Sequence, residues 1–145
     1  MTQTTKFHVM DIYFHDISVF VNGKEYNPSN VVIPSNSVVI VSGMLRCDVP
    51  IKDTSKLIKV TMWNGKTFYI RAIKVGRNEY EFSFKFRAPN WSSLGLCGKR
   101  ITVAKVRLNV KGYEWIRFEI KALCKCNEKI VKKSVKIDIS VEGYY

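Results

Sequence analysis

The chain is expected to fold as an all-β protein, a single antiparallel β-sandwich of about nine or ten strands. Three observations predict this. Val and Ile together number 31 against 6 Leu and 4 Ala, a bias toward β-branched side chains that suit a pleated surface and away from the best helix formers. Apolar and polar residues alternate in run after run, as in EYEFSFKF at 79–86, the pattern of a sheet with one face on a core and the other in water. Turn signals recur every ~8 to 12 residues, the spacing of a sandwich or barrel. At 145 residues the chain fits one domain, 1–145, because ~100 to 150 residues can bury a core without staples. Residues 1–35 are expected as an N-terminal extension or as extra strands of that domain.

Taken in order, Phe7 to Val21 reads as a strand, and Asn22-Gly23 turns it into a short return strand, KEY. Asn and Gly tolerate the positive φ of a two-residue type I′ turn. Pro28 and Pro34 bracket a loop of Asn, Ser and Val, and Asn36 to Cys47 supplies the next strand. LIKVTMW and KTFYIRAIKV flank Asn64-Gly65, a second hairpin signal of the same kind. GRN then leads into EYEFSFKF, with Tyr80, Phe82, Phe84 and Phe86 on one parity and Glu79, Glu81, Ser83 and Lys85 on the other. Pro89 ends that strand, since proline cannot donate to a ladder.

The segment Arg87 to Lys99 is the longest irregular stretch of the second half. In ITVAKVRLNVK the apolar parity slips near Ala104 and Lys105, which predicts a bulge or sharp bend there. Lys111-Gly112 turns the chain into YEWIRFEIKAL, CKCNEK follows, and VKKSVKIDISV forms the last predicted strand. No segment carries a helical pattern.

The aromatic stripe of 80–86 could be a platform for stacked bases or the inside of a sheet. Such platforms set two or three aromatics among Gly and basic residues on a wet face. Here the alternate parity is fully polar and holds two carboxylates, so the aromatics are expected inside.

From about Val38 to Val110, the runs SVVIVSGMLRCD, KVTMWNGKTFYIRAIKV, NEYEFSFKFRAP and KRITVAKVRL resemble Ig-like β-sandwich modules of prokaryotic surface proteins and viral structural proteins. The likeness lies in an early strand ending in Ser-Gly, a hairpin carrying the domain's variable sequence, and a strand of alternating aromatics before a Pro. It implies spacer, adhesion or assembly roles and no catalytic residues.

The net charge is +12, split as −1 over residues 1–50, +8 over 51–100 and +5 over 101–145. A basic surface attracts phosphate polymers, anionic membranes and acidic proteins alike. The expected basic surface comprises Lys105, Arg107 and Lys111 on one face, Arg117 and Lys121 on a neighbouring strand, and Lys132, Lys133 and Lys136 near the end. Together they would follow a phosphate backbone, although a wet sheet face carries Lys in any case. No RNP motif, KH loop or helix-turn-helix accompanies the charge.

Trp63, Trp91 and Trp115 are expected to be exposed at loop ends, where Trp favours protein contacts; the alternative is that each covers the rim of the core. His8 and His15 are the two histidines; with Asp11 and Asp16 nearby an acid-base pair is conceivable, but no nucleophile motif such as Gly-x-Ser-x-Gly is present. Cys124-Lys125-Cys126 with Cys47 and Cys97 lacks the two close pairs of a zinc knuckle site. The start of the chain shows no signal-peptide pattern and no run of ~20 apolar residues occurs, so synthesis in the cytosol and reduced thiols are expected.

These readings lead to a non-enzymatic structural or assembly protein acting through protein-protein contacts, with no cofactor, metal, membrane span or small-molecule substrate. The residue usage is that of an AT-rich genome and leans toward a viral or archaeal origin, and the role expected is that of a virion or surface-complex component. The alternative is a nucleic-acid-binding β-domain using its basic face.

Overall fold

The structure, a computed structural model, describes residues 10–126. Lys132, Lys133, Lys136, His8 and the expected strand VKKSVKIDISV lie outside them. Ten strands form among the described residues: β1 (Ile12–Val21), β2 (Lys24–Tyr26), β3 (Val31–Pro34), β4 (Val38–Cys47), β5 (Ile58–Met62), β6 (Thr67–Ile70), β7 (Ile73–Gly76), β8 (Glu79–Arg87), β9 (Arg100–Leu108) and β10 (Arg117–Lys125). They pair into two five-stranded sheets, β2-β1-β4-β8-β7 and β3-β10-β9-β5-β6. All pairings are antiparallel except β3 with β10, which is parallel.

Alternation explains the layers. Along β4, Val39, Val41, Gly43, Leu45 and Cys47 point inward, and along β8 so do Tyr80, Phe82 and Phe84, all buried. Facing them are Ile58, Val60, Val103, Val106, Leu108 and Ile120 of the second sheet. The aromatic stripe of β8 is therefore the inner face, as expected. Phe82 meets Phe14 edge-on with ring centroids 5.6 Å apart, and Phe84 meets Phe68 edge-on at 5.8 Å. Gly43 lies directly across from Phe82. A Cβ there would come within 2.8 Å of the Phe82 ring and would also strike Ile17, so the missing side chain is what admits the ring.

The expected bulge in β9 is present. Ile120 pairs with Ala104 and Lys121 with Thr102, leaving Val103 as the extra residue, and both Val103 and Ala104 are buried. The Val103 carbonyl instead accepts the Trp63 amide at 2.9 Å. A second irregularity falls in β1 between His15 and Ser18, where Asp16 takes φ 52, a left-handed conformation that Asp tolerates better than most residues.

Four expectations need correction. The stretch between Pro28 and Pro34 is not all loop, since Val31–Pro34 forms β3 and runs beside the far end of the chain. KTFYIRAIKV is two strands, not one: it breaks at Arg71-Ala72, where the Ala72 amide donates to Thr54 O at 3.1 Å and the chain changes sheet. The Asn22-Gly23 turn has both residues at positive φ, as a type I′ turn requires. At Asn64-Gly65 only Gly65 does, and the Met62 amide donates to Lys66 O at 2.8 Å across a three-residue connection.

The cysteines are not all reduced. Cys97 and Cys126 are joined, with Cα atoms 5.5 Å apart, while Cys47 and Cys124 are free and buried. The Gly98 amide donates to Cys124 O at 2.8 Å and the Cys124 amide to Lys99 O at 2.9 Å. Those bonds lay the loop after Arg87 along the end of β10 and bring Cys97 to Cys126. Burial pushes the two free thiols above their ordinary pKa, which keeps them protonated and unreactive.

Two stability outcomes follow from this packing. Phe84→Ala leaves a cavity in the inner layer and is expected to lower the unfolding free energy by about 3 to 5 kcal/mol in urea titrations. Cys97→Ser opens a cross-link spanning 29 residues and is expected to cost about 3 to 4 kcal/mol by chain entropy. A reducing agent should bring the wild type to the same midpoint while leaving the variant unchanged.

Candidate functional site

The structure separates the sequence-derived candidates into places with different chemistry. The first is the outer face of the β3-β10-β9-β5-β6 sheet. Its strands carry Lys59, Arg100, Lys105, Arg107, Arg117, Lys121 and Lys125 against one carboxylate, Glu119. None of these side chains is buried. The strands of the other sheet carry Lys24, Arg46, Lys74, Lys85 and Arg87 against Asp16, Glu25, Glu79 and Glu81. The difference is +6 (7 − 1) against +1 (5 − 4), so the basic excess of the described strands belongs to one face.

Of the residues expected there, Lys105, Arg107, Arg117 and Lys121 are brought together, whereas Lys111 sits in the connection between β9 and β10. Lys59 was not expected. Its single positive charge in LIKVTMW has no neighbour in sequence to mark it, and only the pairing of β5 with β9 sets it opposite Arg107.

The second place is an edge. β2 covers β1 only at Val19–Val21, and β3 covers β10 only at Ala122–Lys125. Beyond these spans, no strand among the described residues pairs with the outer edges of Ile12–Ile17 and of Arg117–Ile120. A cleft of about 310 Å³ opens between the two edges, lined by Ile12, Tyr13, Phe14, Ile17, Trp115 and Phe118 with neighbours. Phe14 and Phe118 meet edge-on at its floor, 5.0 Å between centroids. Trp115 is 68% exposed and Tyr13 48%.

Of the three tryptophans, only Trp115 stands out as expected. Trp91 is fully buried: its Nε1–H donates to Ile33 O at 2.8 Å and its amide to Ser35 Oγ at 2.9 Å. The segment it starts is a 3-10 turn, Trp91–Leu94, capped by the Asn90 side chain, which accepts the Ser92 N–H at 3.2 Å. Trp63 is half-buried and packs on Trp91 at 5.6 Å and on Phe86 at 5.9 Å. Both close the far end of the core, where large rings exclude water best.

The third place surrounds His15, on the outer face of the other sheet. One ring nitrogen, Nδ1, lies 3.1 Å from Asp16 Oδ2 and the other, Nε2, 3.0 Å from Glu79 Oε1. Glu79 also takes Arg46 Nη1 at 3.4 Å, and Arg46 Nε donates to Asp48 Oδ1 at 3.2 Å. Both ring nitrogens are engaged, and through Glu79 the cluster links β1, β8 and, by way of Arg46, β4. Asp11 is not its partner; the Asp11 amide donates to Asp48 at 3.0 Å. No group of three or more potential metal ligands forms among the described residues, and no helix among them is long and apolar enough to cross a membrane.

The Asp11 amide, with Arg46 and Asn78, holds the Asp48 carboxyl below the ordinary carboxylate range. A depressed value contributes stability above the unfolded pKa of about 3.9, and this is lost as pH falls through the folded value. Thermal melts taken from pH 5 downward should therefore show a shallower loss of Tm in Asp48→Asn than in the wild type.

Comparison of the chain with protein-family models and with curated protein sequences finds no significant match.

Proposed function

We propose that the chain is a non-enzymatic assembly module with an Ig-like topology, one that associates with further copies of itself through the open edges of β1 and β10. Such a protein suits a virion or a surface complex. The topology is supported by strand order: β1, β4, β8 and β7 follow the order A-B-E-D, and β5, β9 and β10 the order C-F-G, of immunoglobulin-type sandwiches.

The observation that carries the reading is the cleft itself. Two strand edges that no strand among the described residues covers present N–H and C=O groups on either side of an apolar floor, with an exposed Trp at the rim. An extended segment entering there would gain ladder hydrogen bonds and bury alternate side chains, the mode of strand addition. Exposed Trp at such a contact contributes a large apolar area at low entropic cost.

Each copy carries a charge of +12, so association by an apolar edge works against mutual repulsion, which salt screens. Light scattering coupled to size exclusion is expected to give a mass above the monomer that rises with protein and NaCl concentration. Trp115→Ala should return the mass toward the monomer with the fold intact. A monomer at every concentration and salt level sinks the assembly reading.

A further inference from the structure

On the outer face of the β3-β10-β9-β5-β6 sheet, the registers place Arg117 opposite Arg107, Arg107 opposite Lys59 and Lys59 opposite Tyr69. Three cations thus stand side by side across three strands. With strands about 4.8 Å apart, the row extends roughly 10 Å. Like charges directly opposite one another destabilise a sheet, and a cation row would be relieved by carboxylates interleaved between its members.

None is interleaved here. The one ion pair among the described residues of this face joins Lys121 to Glu119 at 3.6 Å, in the neighbouring rows. Arg107 Nη1 instead donates to Leu108 O at 3.1 Å. Glu114, in the β9–β10 connection, is held below the ordinary carboxylate range by its own N–H and that of Gly112, with Arg107 and Lys111 adding to this at longer range. It stands at the border of the face, not within the row.

Aromatic groups accompany the cations. Tyr69 ends the row and is 44% exposed. One row along, a depression of about 380 Å³ opens beside Lys105, lined by Thr61, Trp63, Thr102 and Glu119. A track of cations with aromatic surfaces beside it is the arrangement by which proteins hold unpaired nucleic acid: charge follows the backbone and rings stack on bases. The face is a sheet and carries no helix that could enter a duplex groove.

We propose that this face binds single-stranded nucleic acid, with Arg117, Arg107 and Lys59 on successive phosphates and Tyr69 stacking on a base. The proposal is separable from the assembly reading: Arg117 also lines the cleft, but Lys59, Arg107 and Tyr69 do not, and the two respond to salt in opposite senses.

Fluorescence anisotropy of a labelled oligothymidylate, titrated with the full chain over a NaCl series, tests it. Binding is expected at low salt, with affinity falling steeply as salt rises. In Arg107→Gln and Lys59→Gln the slope of log affinity against log salt should become shallower by about 0.7 each. Tyr69→Ala should weaken binding about tenfold or more through lost stacking. Lys85→Gln, on the other sheet, should change neither, and the melting temperature of Arg107→Gln should not fall, since a repulsion is removed; if that variant fails to fold, Lys59→Gln carries the same test.

Absence of binding at low salt overturns the proposal. Equal weakening by Lys85→Gln overturns it too, because it shows diffuse charge and not a row. Binding of polyglutamate as tight as that of the oligonucleotide, unaffected by Tyr69→Ala, overturns it in favour of an acidic protein segment.

Discussion

The indole of Trp91 is the contact on which one whole end of the sandwich depends. Its N–H is spent on the carbonyl of Ile33, the middle of the short β3 strand, while its ring meets edge-on that of Trp63, just past the end of β5, and Trp63 in turn packs on Phe86 near the end of β8. The chain of rings Trp91–Trp63–Phe86 therefore links the connection between β8 and β9 to both sheets. A buried N–H left without a partner costs about 1 to 3 kcal/mol, so the Ile33 carbonyl fixes both the tryptophan and the path of β3. The disulfide then ties the same loop to the end of β10. At the other end no comparable side chain among the described residues spans the gap between β1 and β10, and the apolar cleft lies there.

What was legible in the sequence was what has a short period. The inner positions of β4 and β8 announce themselves by alternation, and the slip at Ala104 announces the bulge because the parity changes on either side of it. Trp91 was illegible for the converse reason. It sits among Pro, Asn, Ser and Gly in RAPNWSSLGLCGK, a setting that reads as exposed loop, and only a carbonyl 58 residues away in the chain explains its burial. β3 has four residues and a parallel partner at the opposite end of the chain, beyond the reach of any local pattern. Cys97 and Cys126 read as reduced because compartment decided the expectation, whereas loop geometry decides which sulfurs meet.

The basic face stands between these cases. Each lysine and arginine was visible, and their common parity could be counted, but which of them stand opposite one another depends on register. The bulge at Val103 matters here, because it shifts the pairing of β9 with β10. One residue of slip in either strand would have sent Arg117 to face Val106 and broken the row. The expected aromatics divided likewise: Trp115 remained outside, while Trp63 and Trp91 were drawn in to close the core.

The parallel pairing of β3 with β10 has a consequence in time. Residues 31–34 wait for residues 122–125, and Cys97 waits for Cys126, before their sheet can close. Pairings so distant in sequence form slowly, since the loop must close before any contact rewards it. During synthesis the first sheet can assemble once Arg87 has emerged, because β1, β2, β4, β7 and β8 are then all available. By then β3, β5 and β6 of the facing sheet have also emerged, but β9 and β10, which join them, have not. The second layer is thus in pieces until β9 and then β10, the last of the described strands, leave the ribosome and join them into a sandwich.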